Sequence, residues 1–486
     1  MKNTNIFIRV DGNATIGLGH VVRCIALAQM LQDDFVLTFV YKEIPQGSIN
    51  EITQLGYNLL NIKHEQDLLA LLKKDVIVVL DHYGLDSNYQ KLIKNTGCKL
   101  VCIDDLHDKV FFADLIINHA PNILPSEYKA QHYTQYALGL DYVLLRPVFL
   151  KYAKQNIVNK PMETAFVCFG GSDSKNLTQR VVDILKVDKR FKKIIVVVGA
   201  EYNYLNNLKT SIINGPNIDL HCAIDSATMA LLMNTAGLAV VPSSGILQEV
   251  LAVGCKVISG MYVDNQKYVF NNYKTLGAFE SAEDFSTPNL LLAINAAFKS
   301  KTVIKKHIDG NSKNRLLKAF NQLATLDLAI LKTATINDID KTYYWASNSD
   351  IRKFSFNKST IEYDVHKTWF LSKLDNKNCF YYMAWIGGNE FGSIRFDVKG
   401  GEAMISYLVD PAYQNKGLGT VLLKKGVELF LEQVNSRITT IWGEVFYENL
   451  ASVKIFEKLG YEFKINHSTN IITFKKIIKY TFDKVL

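Results

Sequence analysis

The sequence predicts an α/β protein of three folding units, on three observations. At 486 residues the chain exceeds one ordinary domain. Up to about residue 325, short β-branched runs alternate with helical stretches, the pattern of parallel sheets covered by helices. From Ala329 the order changes to runs joined by a glycine turn, which marks an antiparallel sheet. The expected division is 1–155, 156–327 and 328–486, two α/β units of the same kind followed by a mixed one.

Composition narrows the functional classes. Hydrophobic residues make up 48%, enough for real cores. The net charge of +8 is spread along the chain in pairs such as Lys305-Lys306 and Lys424-Lys425. A solvated lysine surface fits that spread better than a nucleic-acid site, and anionic small substrates are compatible with it. Seven cysteines, an odd number without CxxC spacing, read as reduced core residues and not as a zinc site or disulfide frame. No apolar run is long enough to span a bilayer, and the first one passes into Arg9 and Asp11 without a signal-peptide pattern. The expectation is a cytoplasmic protein with small-molecule partners, without nucleic acid or membrane, and no obligate protein partner is evident.

The first unit opens with the apolar run Ile6 to Val10, then Asp11-Gly-Asn-Ala-Thr-Ile-Gly17-Leu-Gly19-His20-Val-Val-Arg23, then apolar residues at helical spacing. Strand, glycine loop and helix in that order present backbone N–H groups and a positive dipole end to an anion. Gly17 and Gly19 allow close backbone approach, and His20 stands where the dipole disfavours imidazolium, so it is a candidate general base. The same stretch is also what a glycine turn with a packed histidine gives. Further runs, Phe35 to Tyr41, Val76 to Leu80, Leu100 to Ile103 and Leu115 to Ile117, read as strands. In this fold class ligand groups gather at carboxyl ends of strands. Those ends carry Asp81-His82-Tyr83-Gly84, Asp104-Asp105 and Asn118-His119. Asp81, His82 and Tyr83 are site candidates, whereas Asp104, Asp105 or His119 also fit helix caps or loop positions.

The second unit repeats the pattern. Its strand Thr164 to Phe169 empties into Gly170-Gly171-Ser-Asp173-Ser-Lys-Asn176-Leu177, and Leu238 to Val241 into Pro242-Ser243-Ser244-Gly245 with Glu249 following. Two such turns, each opening a helix, suit a diphosphate, and Glu249 suits ribose hydroxyls; an ordinary strand-to-helix connection gives each turn alone. Asn265 and Gln266 offer amides to a sugar or a diphosphate. Lys299 to Leu326 reads as mostly helical with a turn at Asp309-Gly310-Asn311.

The third unit begins with a strand over Ala329 to Ile336, then helical stretches around Ile339 to Ala346 and Thr360 to Leu374. Strands follow at Phe380 to Ile386, Gly392 to Val398 and Ala403 to Leu408. The last runs through Val409-Asp410-Pro411 into Gln414-Asn-Lys416-Gly417-Leu418-Gly419-Thr420 and a helix. A Gln-x-x-Gly-x-Gly loop before a helix turns its N–H groups toward a pyrophosphate.

Taken together, the Gly17-Leu-Gly19-His20-x-x-Arg23 loop, Asp81-His82-Tyr83-Gly84, Gly170-Gly171-x-Asp173-x-x-Asn176-Leu177 and Ser243-Ser244-Gly245 with Glu249 resemble the UDP-sugar hydrolases of pseudaminic acid biosynthesis. That resemblance implies a double Rossmann-like, glycosyltransferase-B-type architecture. It also implies inverting hydrolysis of UDP-2,4-diacetamido-2,4,6-trideoxy-β-L-altropyranose to UDP and free sugar, with no metal. On that reading His20 is the base and Tyr83 and Asp81 orient water or sugar. Arg23, His82, Asn265, Gln266 and the two glycine turns bind substrate.

The chain from Ala329 resembles the GNAT acetyltransferases, on the loop Gln414 to Gly419 and on Asn449-x-x-Ser452-x-x-x-Phe456-Glu-Lys-Leu-Gly460-Tyr461. This implies acetyl-CoA as co-substrate, held by Val409, Gln414, Lys416, Gly417, Leu418, Gly419, Thr420, Asn449, Ser452 and Phe456. Trp345, Asn348 and Arg352 are spaced as in the subgroup acting on amino sugars and protein N-termini. Phe456 stands where the family commonly has an acidic tyrosine, so Glu444 and Tyr447 are the candidate base and acid. The two resemblances imply consecutive steps, N-acetylation of a UDP-4-amino-4,6-dideoxy sugar and then hydrolysis. A glycosyltransferase of the same fold, or the same steps on a legionaminic-type sugar, are the competing readings; residues gathered at three strand ends argue against a non-catalytic sensor.

Overall fold

The computed structural model describes residues 4–13, 18–131, 133–157, 160–213, 217–300, 304–414, 416–434 and 438–478, without the side chains of residues 265 and 326–328. The chain forms two compact units that divide between Leu317 and Lys318.

The first unit holds two parallel, Rossmann-like sheets. The first is built from β1 (Asn5–Val10), β2 (Val36–Tyr41), β3 (Asn58–Asn61), β4 (Ile77–Asp81) and β5 (Lys99–Ile103), followed after a small pair, β6 (Val110–Phe111) with β8 (Lys129–Ala130), by β7 (Leu115–Asn118) and β9 (Gln135–Leu138). Its order is β3-β2-β1-β4-β5-β7-β9, every pair parallel. The central strands are buried on both faces between two helical layers, apolar apart from Arg9 in β1 and Asp81 at the end of β4: all five residues of β4 are buried. The second sheet uses β10 (Thr164–Val167), β11 (Lys193–Val198), β12 (Ile218–Cys222), β13 (Leu238–Pro242), β14 (Lys256–Gly260) and β15 (Glu280–Glu283) in the order β12-β11-β10-β13-β14-β15. Both sheets reverse direction of growth beside their first strand, between β1 and β4 and between β10 and β13. Such a switch point opens a crevice at the carboxyl ends, where the glycine turns lie.

The second unit has one seven-stranded sheet: β16 (Ile330–Thr333), β17 (Cys379–Ile386), β18 (Asn389–Lys399), β19 (Glu402–Val409), β20 (Thr440–Phe446), β21 (Glu462–Asn466) and β22 (Ile471–Ile477), ordered β16-β17-β18-β19-β20-β22-β21. It is antiparallel except at β19–β20, which the helix Leu418–Gln433 connects as a parallel crossover. That parallel pairing covers only Glu402–Met404 against Thr440–Trp442. Beyond it the two strands part.

One segment and four outer strands differ from the sequence pattern. Residues 304–310 are not helical; Ile308 is buried, and a Cβ on Gly310 would stand 2.5 Å from the Leu150 carbonyl, so tertiary packing outweighs local propensity there. The helices on either side are Thr287–Lys299 and Ser312–Leu328. The outer strands β3, β9, β12 and β15 carry short, polar or mixed sequences and gain their structure by pairing with buried neighbours.

Candidate active sites

At the carboxyl edge of the first sheet, β1 and β4 deliver one constellation. The helix Gly19–Leu31 starts beside the switch point and buries His20, its second residue, to 5% exposure. His20 Nδ1 lies 2.5 Å from Asp81 Oδ1. Arg23, one turn later on the same helix face, donates its Nε and Nη2 to the two Asp81 oxygens at 2.6 Å and its Nη1 to Asp105 at 2.9 Å. Tyr83 donates to the same Asp105 oxygen at 3.1 Å, and its ring meets the His20 ring edge-on, 4.5 Å between centroids. Burial works to raise the Asp81 carboxyl, but Arg23 and His20 outweigh it and hold it well below the usual carboxylate range. An ionised carboxylate can only accept, so Nδ1, which also stands 3.0 Å from Arg23 Nη2, is the ring nitrogen that carries its proton toward Asp81, and in the neutral ring Nε2 is the nitrogen left to accept. Nε2 has no hydrogen-bond partner among the described residues. Burial and then Asp105 push the Tyr83 phenol up, so it stays a donor.

The turn after β4 divides its side chains. Asp81 and Tyr83 face His20, while His82, on the opposite side of the extended backbone, turns to Asp11 at 3.3 Å. Asp11 also binds Arg9 Nη2 at 2.7 Å, and Arg9 is shared with Glu65 at 2.8 Å. His82 therefore contacts a neighbouring charged framework and not the His20 group, whereas the sequence reading gave it a substrate-binding role beside His20. Gly17 lies outside the described residues; Gly19 is the first residue of the helix. Asp105 joins this group although its strand-end position fitted a helix cap equally well, and His119, which fitted a loop position, lies within electrostatic reach of Arg23, Asp105 and Asp81. His119 Nδ1 accepts from the Leu144 N–H at 3.1 Å, so its Nε2 carries the proton, and burial followed by Arg23 pushes it down to about 4.

The second sheet brings its turns to the same rim. A Cβ on Gly171 would stand 3.3 Å from Leu18 Cδ1, so the Gly170-Gly171 turn lies against the residue just ahead of Gly19 and His20. Gly170 adopts φ +84°, which only glycine takes without strain. Several residues expected to touch substrate are held by the protein instead. Asp173 accepts from the Leu177 and Thr178 N–H groups at 2.9 and 2.7 Å, consuming the first donors of the helix Leu177–Leu185. Asn176 accepts from the Tyr202 hydroxyl at 2.6 Å, Ser243 pairs with Ser259 at 2.9 Å, and Gln266 accepts from the Tyr262 N–H at 3.0 Å. Glu249 is buried and pairs with Arg146 at 2.7 Å. Their side chains shape the rim. The helix Gly245–Val253, by contrast, follows Ser244 without a side-chain cap, which leaves its leading N–H groups open to an anion. Beside this rim a cavity of about 380 Å³ is lined by Lys175, Arg180, Tyr262 and Asp264 among others. Among the described residues no group of three or more His, Cys, Asp or Glu side chains could hold a metal ion.

In the second unit the site is made mostly of backbone. Where β19 and β20 part, β19 keeps unpaired peptide groups along Ile405–Val409 on that side. Gly417, φ +79°, starts the helix Leu418–Gln433, and Gly419 lets the helix Leu450–Lys458 approach through Ile455. Gln414 donates to the Val409 carbonyl at 3.3 Å, closing the turn that carries Lys416 and leads to Thr420. Asp410 is anchored by Trp345 Nε1 at 2.7 Å. Asn348 caps residues 349–352, and Arg352 reaches the carbonyls of Asn357 and Ser359.

Asn449 caps the helix that follows it by accepting from the Ser452 N–H at 3.2 Å. Ser452 accepts from the Tyr407 hydroxyl at 3.0 Å, at the opening between the strands. Phe456, expected to line the cofactor, is instead 1% exposed and stacks on Phe474 at 4.8 Å, so it is a core residue. Glu444 and Tyr447 are exposed, Glu444 with only a 3.5 Å contact to Thr473. Tyr407 was not legible in sequence, because only the pairing of β19 brings it to Ser452. Burial pushes its phenol up to about 12.

Residues 343–461 match the family model of the Acetyltransferase (GNAT) family. The C-terminal region carries a GNAT domain. Uncharacterized protein MJ1062 of Methanocaldococcus jannaschii is 25% identical over 488 residues, covering 94% of this chain and 96% of that protein. The UDP-2,4-diacetamido-2,4,6-trideoxy-beta-L-altropyranose hydrolase of Campylobacter jejuni is 28% identical over 267 residues, 54% of this chain and 93% of the relative. The spore coat polysaccharide biosynthesis protein SpsG of Bacillus subtilis is 24% identical over 280 residues, 56% of this chain and 82% of the relative. The N-terminal half thus resembles the hydrolase and SpsG group. No helix among the described residues is long and apolar enough to cross a membrane.

Proposed function

We propose that the chain is a bifunctional nucleotide-sugar enzyme. Its C-terminal domain N-acetylates a UDP-4-amino-4,6-dideoxy sugar with acetyl-CoA. Its N-terminal part hydrolyses the resulting UDP-2,4-diacetamido-2,4,6-trideoxy sugar to UDP and free sugar. The observation that carries the reading is the His20–Asp81 contact at 2.5 Å, with Nε2 bare beside Tyr83, in the half that aligns with the Campylobacter hydrolase.

Hydrolysis needs a water deprotonated on the face opposite the leaving group. His20 Nε2 takes the proton, Asp81 stabilises the imidazolium, and the water oxygen attacks the anomeric carbon as the bond to UDP breaks with inversion. Tyr83 holds the water or a sugar hydroxyl. The departing diphosphate is received by the open helix end at Gly245 and the Gly170-Gly171 backbone; Asp173 has already consumed the first donors of the other helix.

For acetyl transfer, the glycine turn takes the pyrophosphate and the open edge of β19 takes the arm of the coenzyme. The amine attacks the thioester carbonyl, the C–S bond breaks, Tyr407 gives its phenolic proton to the leaving thiolate in place of a tyrosine at position 456, and the proton that the nitrogen loses returns to the tyrosinate. The phenolic proton that Ser452 Oγ accepts in this structure turns to the thiolate, and the Ser452 hydroxyl then donates to the tyrosinate oxygen.

The test is mass spectrometry of products from the full chain with UDP-4-amino-4,6-dideoxy-N-acetyl-altrosamine in heavy-oxygen water. Free diacetamido sugar carrying the label, formed only with acetyl-CoA and accompanied by unlabelled UDP, is the expected result. Acetylation without UDP release would overturn the hydrolase half.

A further inference from the structure

Helix Ser312–Leu328 lies outside the segment that matches the GNAT model, yet it reaches the coenzyme loop. Gln322, 7% exposed, occupies the space in which a Cβ on Gly417 would stand. Its Oε1 accepts from Lys458 Nζ at 2.7 Å. An ammonium can only donate, so the amide oxygen must face Lys458 and the NH2 group is turned away from it. That NH2 has no hydrogen-bond partner among the described residues. Beside it lie the left-handed turn and the start of a 16-residue helix, whose first N–H groups have no side-chain cap. No carboxylate among the described residues pairs with Lys458 or with Lys318, one turn before Gln322. Packing around Lys458 and then Lys318 push its ammonium down to about 8, as expected where cations meet without an anion.

We infer that Gln322 and Lys458 complete the glycine turn as a phosphate-binding site for the thioester donor, Lys458 orienting the Gln322 amide so that its N–H groups reach a phosphate oxygen. The inference rests on the acetyltransferase reading and adds a ligand-binding residue from outside the matched domain. Gly417 has to be glycine for two reasons, its positive φ and the room Gln322 requires.

The test is calorimetric affinity of the full chain for acetyl-CoA, its dephospho form and S-acetylpantetheine, with Gln322→Glu and Gln322→Leu alongside wild type. Glu keeps the shape but replaces the donor by an anion, so acetyl-CoA affinity should fall at least about tenfold, with a smaller loss for Leu and no change for S-acetylpantetheine. A loss shared by the dephospho form assigns the diphosphate; a loss confined to acetyl-CoA assigns the 3′-phosphate, and either supports a phosphate site. Unchanged acetyl-CoA affinity in Gln322→Glu overturns the inference alone, as does an equal loss for all three ligands. Wild type that binds no acetyl-CoA overturns the acetyltransferase reading as well.

Discussion

The His20 site and the site between β19 and β20 solve opposite problems with opposite materials. The first is made of ionised side chains locked to one another: His20, Arg23, Asp81 and Asp105 join by contacts of 2.5 to 2.9 Å at the end of a parallel sheet. The second is made of backbone, a parted strand pair and a glycine turn, with one hydroxyl pair, Tyr407 and Ser452, at the opening. On the proposed function, the first site breaks a glycosidic bond with a base whose tautomer neighbouring charges fix. Holding a long, flexible coenzyme requires a row of peptide groups and little charge. Substitutions that change charge should therefore dominate at the first site, and those that change backbone shape at the second.

The sharpest break of that contrast is His20→Ala. UDP release should fall about 10²–10⁴-fold, with acetyl transfer unaltered, in a coupled assay for UDP. Normal UDP release would remove His20 from the mechanism. Next in size is Gly417→Asp, which forces a side chain into a φ of +79° and into the space held by Gln322. Acetyl-CoA binding should be lost by about 100-fold or more, as positive potential at the turn gives way to a carboxylate.

Tyr407→Phe sharpens the comparison, because it removes the hydroxyl that the proposed mechanism uses as proton donor at the backbone-built site. A fall of about 10- to 100-fold in kcat for acetylation, with KM for acetyl-CoA little changed, is expected in a steady-state assay. An unchanged kcat would return the acid role to another group. A further prediction concerns pH and the stability of the charged site. His119 in the folded chain titrates at about 4 against 6.5 for the free group. Below 6.5 the unfolded chain binds a proton that the folded chain refuses, so stability falls from there down to about 4, by about 3 kcal/mol in all. In His119→Asn, denaturant melts across this window should show a correspondingly flatter acid limb.

Much of the fold was legible because its signals are local. Each β-branched run before a glycine turn became a strand, and the turn from Gly387 to Asn389 joins β17 to β18. Periodicity and turn chemistry act over a few residues and need no knowledge of neighbours. The candidate base, the glycine turns read as phosphate sites and the likeness to two known groups were visible for the same reason: they are contiguous motifs.

Only tertiary structure decided how those residues are used. It set Asp81 against His20 while sending the adjacent His82 to Asp11, because an extended chain points successive side chains to opposite sides. It assigned Asp173 to a helix cap and Glu249 to Arg146, and buried Phe456 in the core. It brought Tyr407 to Ser452 and Gln322 to Gly417 across separations of 45 and 95 positions in the chain. Motifs specify which chemical groups are present; whether a group is free to meet a ligand depends on which distant partner satisfies it, and that is a property of packing alone.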